Sequence, residues 1–251
     1  MRIVSYNILD GGEGRADPVA EVIEAQRPDV VCLVEADNAE VLARIAKRLD
    51  MDSIQAWGVK HAVALLSRWP IAESINHAAI RGQPRCLLEA LVRDPAGVEW
   101  PIGVVHFKGG AFEADEAVRD TEVATLLDVF ATHRAAGRPH LLVGDFNANS
   151  PIRAIDPSQC TARTAEAWVA NGNSIPRRVV QKLLDAGYAD TLAAARDGSF
   201  TTQSPGQRID YIFTHGIAPA RIIQARIEQD RLAKYASDHF PVVVETSAVA
   251  E

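Results

Sequence analysis

The chain predicts an α/β fold in layers, and three observations carry that prediction. Short apolar runs of four to six residues recur from one end to the other, with amphipathic stretches between them. The length of 251 residues, 47% hydrophobic and 24% charged, fits one large α/β globular unit able to bury most of its apolar surface. No internal repeat, low-complexity tract or linker interrupts the alternation, so residues 1–247 read as a single domain and 248–251 as a short tail.

Taken in order, residues 2–6 form the first predicted strand. Asp17 followed by Pro18 suits a helix N-cap with proline at the first helical position, opening a helix that runs to about Gln26. Residues 30–34, Val-Val-Cys-Leu-Val, are a buried-strand composition, and residues 38–49 space their apolar side chains as a helix does. Runs at 62–66, 87–92 and 102–105 are further strands, followed by a helix over 114–134 that closes near Gly137. A strand at 140–143 leads into 147–175, rich in Asn, Ser, Pro and Thr, with a short helix near Trp168. Connections that long in a compact domain are often functional. A helix over 176–186 ends at Gly187, and strands at 209–213 and 242–245 complete the chain.

Composition narrows the function. Cys32 and Cys86 sit in apolar runs and Cys160 in a polar one, a pattern that gives neither a disulfide framework nor a zinc site. The first nine residues already read as a strand with one basic residue, so no signal peptide is expected, and no apolar run approaches the length that spans a bilayer. A cytoplasmic protein with no membrane insertion and no obligate protein partner is the expectation. A formal net charge of −7 argues against a general DNA-coating protein. It leaves room for a nuclease, because a metal site adds carboxylates that its ion offsets locally.

The informative feature is what stands at the strand ends. Asn7 closes Ser5-Tyr6-Asn7, Glu35 follows Leu33-Val34, and His106 follows Gly103-Val104-Val105. Asp145 and Asn147 lie in Gly144-Asp145-Phe146-Asn147, Asp210 lies between Ile209 and Tyr211, and Asp238-His239 precedes the last strand. A carboxylate after a strand is usually a cap or turn residue. Asp210 resists that reading, since an acid inside an apolar strand is costly to bury unpaired. Together these residues hold acids for a hard cation, acids and imidazoles for proton transfer, and amides for a phosphoryl oxygen, the inventory of metal-assisted hydrolysis. Oxygen ligands without cysteine suit Mg²⁺ or Mn²⁺.

The order and wording of these motifs resemble the endonuclease/exonuclease/phosphatase superfamily. Ser-Tyr-Asn, Val-Glu, Val-His-Phe-Lys, Gly-Asp-Phe-Asn-Ala, Arg-Ile-Asp-Tyr-Ile and Ser-Asp-His-Phe-Pro-Val fall in the family's order between Arg2 and Val244. The resemblance implies a four-layer sandwich, two mixed β-sheets face to face with helices outside. It also implies Glu35 as principal ligand of a Mg²⁺ that Mn²⁺ can replace, with Asn7 and Asp238 beside it. Asp145 would position or deprotonate the attacking water, Asn147 would donate to the phosphate, Asp210 would orient His239, and His106 would lie against the scissile group. Arg85, in Arg81-Gly82-Gln83-Pro84-Arg85, is a candidate substrate-phosphate contact, although a turn arginine is as a rule a solvated cation.

Departures from the branch patterns weigh against abasic-site repair. Asp37 stands where exonuclease III-type enzymes carry lysine, His106 where they carry tyrosine, and residues 200–207 lack tryptophan. An acidic partner for His106 is not evident. The resemblance therefore implies a phosphodiesterase acting on nucleic acid or a nucleotide-like diester. The alternative is a phosphatase or diesterase for a small metabolite or lipid headgroup, favoured by the negative charge. A catalytically dead binding module is disfavoured, because Glu35, His106, Asp145, Asn147, Asp210 and His239 are all present.

Overall fold

The computed structural model describes residues 1–80, 85–193, 202 and 206–247; the predicted tail at 248–251 lies outside them. Twelve strands run in chain order: β1 (Arg2–Asn7), β2 (Val30–Val34), β3 (Asp52–Trp57), β4 (Ala62–Ser67), β5 (Ile71–Asn76) and β6 (Cys86–Arg93), then β7 (Glu99–His106), β8 (His140–Asp145), β9 (Ala189–Asp190), β10 (Asp210–His215), β11 (Ile222–Ile227) and β12 (Val242–Thr246). Among the described residues they form two six-stranded mixed sheets, ordered β11-β12-β1-β2-β4-β3 and β5-β6-β7-β8-β10-β9. Each sheet has one parallel pair, β1 with β2 and β7 with β8.

Side-chain alternation sorts these strands into layers. In β7 and β8, Ile102, Val104, Leu141 and Val143 join the main core that also contains β1, β2 and β4, so they face the other sheet. Their neighbours Val105 and Leu142 turn the opposite way and pack with Val123, Leu126, Val179 and Leu183 of the outer helices. Helices α1 (Ala16–Ala25), α2 (Ala39–Leu49) and α7 (Arg231–Ala236) cover the first sheet, with α1 packed on both of the others. Helices α3 (Glu113–Val129) and α6 (Arg178–Asp185) pack together over the second. The expected four-layer sandwich is the observed fold.

Local details differ from the sequence reading for physical reasons. Asp17 does not cap α1: the helix begins at Ala16 behind Arg15, and Asp17 pairs with Arg44 of α2. Arg15 secures that entry by donating to the carbonyls of Ile8, Leu9 and Ala236. The predicted helix over 114–134 is two pieces, α3 and α4 (Ala131–Ala135), broken at Phe130. The Phe130 ring fills the space over Gly103, where an added Cβ would lie 2.8 Å from it. Helix α5 (Ala162–Ala170) lies in the irregular stretch, steadied by a small core of Ala111, Ala167 and Ile175. No helix among the described residues is long and apolar enough to cross a membrane.

Candidate active site

Strand register brings the predicted residues together. His106 is the register partner of Asp145, and Asp145 the partner of Asp210, so three of them stand in one row across β7, β8 and β10. They continue the inward-facing stripes of Ile102 and Val104, Leu141 and Val143, and Ile212. From the facing sheet, Asn7 ends β1 beside Val34, and Glu35 follows one residue later. The loop before β12 supplies Asp238 and His239.

Backbone geometry aims these groups. Glu35 and Asn147 take left-handed φ values of 55° and 49°, uncommon for residues with a Cβ and often held at functional sites. Glu35 is fixed on both ends: its carbonyl accepts from Gly11 N at 2.9 Å and its Oε2 from Asp10 N at 2.9 Å. Gly144 has φ 133°, and a Cβ there would lie 2.1 Å from the Val105 carbonyl oxygen. Only glycine lets β8 approach β7 so closely just before Asp145. Thr202 Oγ1 accepts from Ile209 N at 2.9 Å and Asp210 N at 3.1 Å, which anchors the start of β10. Ser237 Oγ donates to the Asn7 carbonyl at 2.7 Å, tying the His239 loop to β1.

The side chains meet across the gap between the sheets. Asn7 Nδ2 donates to Asp145 Oδ2 at 3.2 Å and to Glu35 Oε1 at 3.4 Å. His106 Nε2 is 3.9 Å from each of those same two oxygens. His239 Nδ1 donates to Asp210 Oδ2 at 2.8 Å, leaving Nε2 4.0 Å from Asp145 Oδ2. Asn147 N donates to Asp145 Oδ1 at 2.8 Å, and its side-chain amide to the Phe107 carbonyl at 3.0 Å. Arg85 reaches the same place, its Nη1 lying 3.4 Å from His106 Nε2.

Burial and charge then set the protonation states. Burial raises the Asp145 carboxyl well above the ordinary range, and neighbouring Asp210 adds to the rise while His239 opposes it. For His239 burial favours the neutral ring, but the Asp210 contact and the charge of Asp145 outweigh it and lift the pKa to about 10. His106 goes the other way: burial, then the Arg85 charge, holds it well below the usual histidine value. Burial and charge thus push the two buried imidazoles in opposite directions.

Buried ligand atoms remain available to a cation. Asp210 Oδ1 and Asp238 Oδ1 have no hydrogen-bond partner among the described residues. Asp145, Asp210 and His239 each offer a ligand atom within 4.8 Å of the others. The direct 2.8 Å hydrogen bond between Asp210 and His239 leaves no room for an ion between those two atoms. Asp145 and the second oxygen of Asp210 stay available there, and among the described residues no comparably close group includes Glu35 or Asp238.

The sequence reading missed several neighbours. Asp37 Oδ2 accepts from His61 Nδ1 at 2.8 Å, and the His61 ring lies 5.2 Å from that of His106. Asp37 thus serves His61, and among the described residues His106 Nδ1 has no partner. The available signal was positional: His61 and Asp37 also flank strands, β4 and β2. Glu122 of α3 is fully buried and accepts from Lys108 N at 2.8 Å, a contact no local pattern announces.

A family model described as the endonuclease/exonuclease/phosphatase family matches residues 4–239. A comparison with curated protein sequences finds no match. Among solved structures, the chain is similar to a Neisseria 3′ phosphatase bound to a product DNA hairpin, at 22% identity, 99% coverage of this chain, 100% of that one and a TM-score of 0.71. It is also similar to an AP endonuclease from Archaeoglobus fulgidus at 19% identity, 99% and 100% coverage and a TM-score of 0.73. The human Nocturnin catalytic domain with a bound sulfate anion follows at 20% identity, 98% and 94% coverage and 0.70. At such identities these structures speak for the fold, whereas the family model spans nearly the whole chain, from before Asn7 to His239. The chain belongs to the endonuclease/exonuclease/phosphatase family.

Proposed function

We propose that the protein is a Mg²⁺-dependent phosphodiesterase, with Mn²⁺ able to substitute, that hydrolyses nucleic acid or a nucleotide-like diester by in-line attack of water on phosphorus. The observation that carries this reading is the meeting of Glu35 and Asn7 from one sheet with His106, Asp145 and Asp210 from the other, closed by His239. Glu35, Asn7 and Asp238 would hold the ion. The unpartnered Asp238 Oδ1 and the loosely held Glu35 Oε1 fit that role, whereas Asn7 turns its amide nitrogen to the acids and its oxygen to Leu9 N. When bound, the ion supplies Lewis acidity and offsets negative charge on the phosphoryl group.

The remaining chemistry belongs to the side chains. Asp145, its carboxyl raised towards neutrality, anchors the attacking water and accepts its proton. Asn147 uses one amide N–H on the Phe107 carbonyl and has a second for a phosphoryl oxygen. The cationic His239, oriented by Asp210, answers charge that grows on the equatorial oxygens. Neutral His106 accepts from Arg85 and steers its guanidinium towards the phosphate.

The test is hydrolysis of plasmid DNA, single-stranded RNA, bis-p-nitrophenyl phosphate and inositol phosphates in Mg²⁺, Mn²⁺ or EDTA. Cutting of a polymer that EDTA abolishes is the expected result. Activity confined to small esters would move the protein to the metabolite reading that its −7 charge favours. Silence on every ester, with the protein folded, would overturn the proposal.

A further inference from the structure

Beside Asn147 lies a cavity of about 340 Å³ that the reading above touches only through Asn147 and Arg85. Its walls come from five places: the residue before β6, the loops after β7 and β8, the loop before β10, and the first turn of α5. Arg85, Lys108 and Arg163 line it, and among the described residues no acidic side chain does. That is unusual in a chain with a net charge of −7. Clustered positive charge in a concave site concentrates anions there.

The three cations are not equivalent. Lys108 Nζ is matched by Asp115 at 2.7 Å. Arg85 lies against His106 and so reaches the reacting centre as well as the cavity. Arg163 is exposed, and its side chain makes no ion pair or hydrogen bond among the described residues. An arginine in that state is ordinarily a solvated surface charge. Here the wall that carries it is built. Thr164, buried next to it, accepts from Gln207 Nε2 at 3.1 Å, and Gln207 Oε1 accepts from Asn149 Nδ2 at 3.1 Å. This buried chain of amides fixes the first turn of α5 to the loop entering β10, the strand that begins with Asp210. A group held between Arg85 and Arg163 would therefore keep a set position relative to Asn147.

We propose that this cavity is a subsite for a second phosphate, so that the preferred esters carry two phosphates separated by one sugar-sized unit. The inference rests on the hydrolase reading only in taking Asn147 as the contact of the scissile phosphate. The volume, at the lower end of small-molecule sites, suits one phosphate and its carrier rather than a longer polymer stretch. Guanidinium is the group suited to grip phosphate with paired hydrogen bonds.

The experiment is calorimetric titration of the full-length chain in EDTA, where no metal-dependent turnover occurs, with thymidine 3′,5′-bisphosphate, thymidine 3′-monophosphate and thymidine 5′-monophosphate. One charge-assisted phosphate contact predicts that the bisphosphate binds about tenfold more tightly than either monophosphate. Arg163→Glu should erase that advantage, Arg163→Lys should keep most of it, and Arg44→Glu, on the outer helix layer, should keep it in full. Equal affinities in the native chain would overturn the subsite. So would an advantage that survives Arg163→Glu, or one that Arg44→Glu removes equally, since a diffuse field would then explain it. Fructose 1,6-bisphosphate distinguishes the sources: a matching advantage supports recognition of the phosphate pair alone, and its absence supports a nucleotide carrier. The two proposals fail separately. An affinity gap without hydrolysis of any ester in Mg²⁺ sinks the hydrolase reading, and hydrolysis without a gap sinks the subsite.

Discussion

Replacing Glu122 by Gln should stabilise the protein at alkaline pH and not at acid pH. Glu122 is fully buried on α3, with Oε2 accepting from Lys108 N and Oε1 without a partner among the described residues. Burial, only partly offset by the Lys108 hydrogen bond and the Arg85 and Arg119 charges, raises its pKa from 4.5 to about 7. The sign follows from which state holds the proton. Below pH 4.5 the carboxyl is protonated folded and unfolded, and nothing is lost. Between there and pH 7 the unfolded chain ionises while the folded one keeps its proton, so stability falls as pH rises. At about 1.4 kcal/mol per pH unit the loss approaches about 3 kcal/mol, an upper figure for a group with cations nearby. Glutamine keeps the acceptor for Lys108 N and cannot ionise. It leaves an amide N–H₂ where Oε1 was already unpartnered, a cost that does not vary with pH. Urea unfolding of both proteins at pH 5, 6, 7 and 8 reads the difference directly. The variant should gain on the native chain steadily up to pH 7 and then level off. A stability difference that stays flat across this range would refute the argument, because it would mean that Glu122 is ionised in the fold throughout.

Three further predictions concern the site and its support. Mg²⁺ should protect the native chain against thermal unfolding, and Glu35→Gln should abolish that protection while leaving circular dichroism unchanged; protection equal to that of the native chain would place the ion elsewhere. Asp210→Asn should depress turnover on bis-p-nitrophenyl phosphate by about 10²- to 10⁴-fold, the range for losing an acid–base partner. Because His239 would then lose the carboxylate charge that helps lift its pKa to about 10, its ring should titrate at lower pH by NMR. Asp190 accepts from Arg208 Nη1 at 2.9 Å and Nη2 at 2.5 Å, both side chains buried, and Arg208 also stacks over Tyr211 at 4.5 Å. Asp190→Ala should cost about 3–5 kcal/mol in chemical denaturation by stranding that guanidinium, and a cost near zero would show the arginine free to reach water.

The pattern of what could be read from sequence follows from where each strand lies. β1, β2, β4, β6, β7, β8, β10 and β12 all contain a predicted apolar run, and each is flanked by neighbours on both sides. The strands that escaped notice, β3, β5, β9 and β11, are the four sheet edges. β5 shows why: Ile-Ala-Glu-Ser-Ile-Asn leaves five of its six residues exposed, so no burial selects an alternating pattern. Helix α7 was missed for a related reason, since only Ala233 and Ala236 of its six residues are buried. The same logic divides the site. Asn7, Glu35, His106, Asp145 and Asp210 were legible because each polar group interrupts or ends an apolar run, and register then aligns His106 with Asp145 and Asp145 with Asp210. His61 was not, although it too adjoins a strand, because its meaning lies in a ring contact with His106 between residues 45 positions apart. Arg163 was least legible of all. It stands on a helix whose own core is three small or branched residues, and only the closure of the 147–175 segment over β10 brings it beside Asn147. Chemistry written at the ends of central strands is visible in one sequence, while the selectivity added by a folded-back loop appears only when the chain closes on itself.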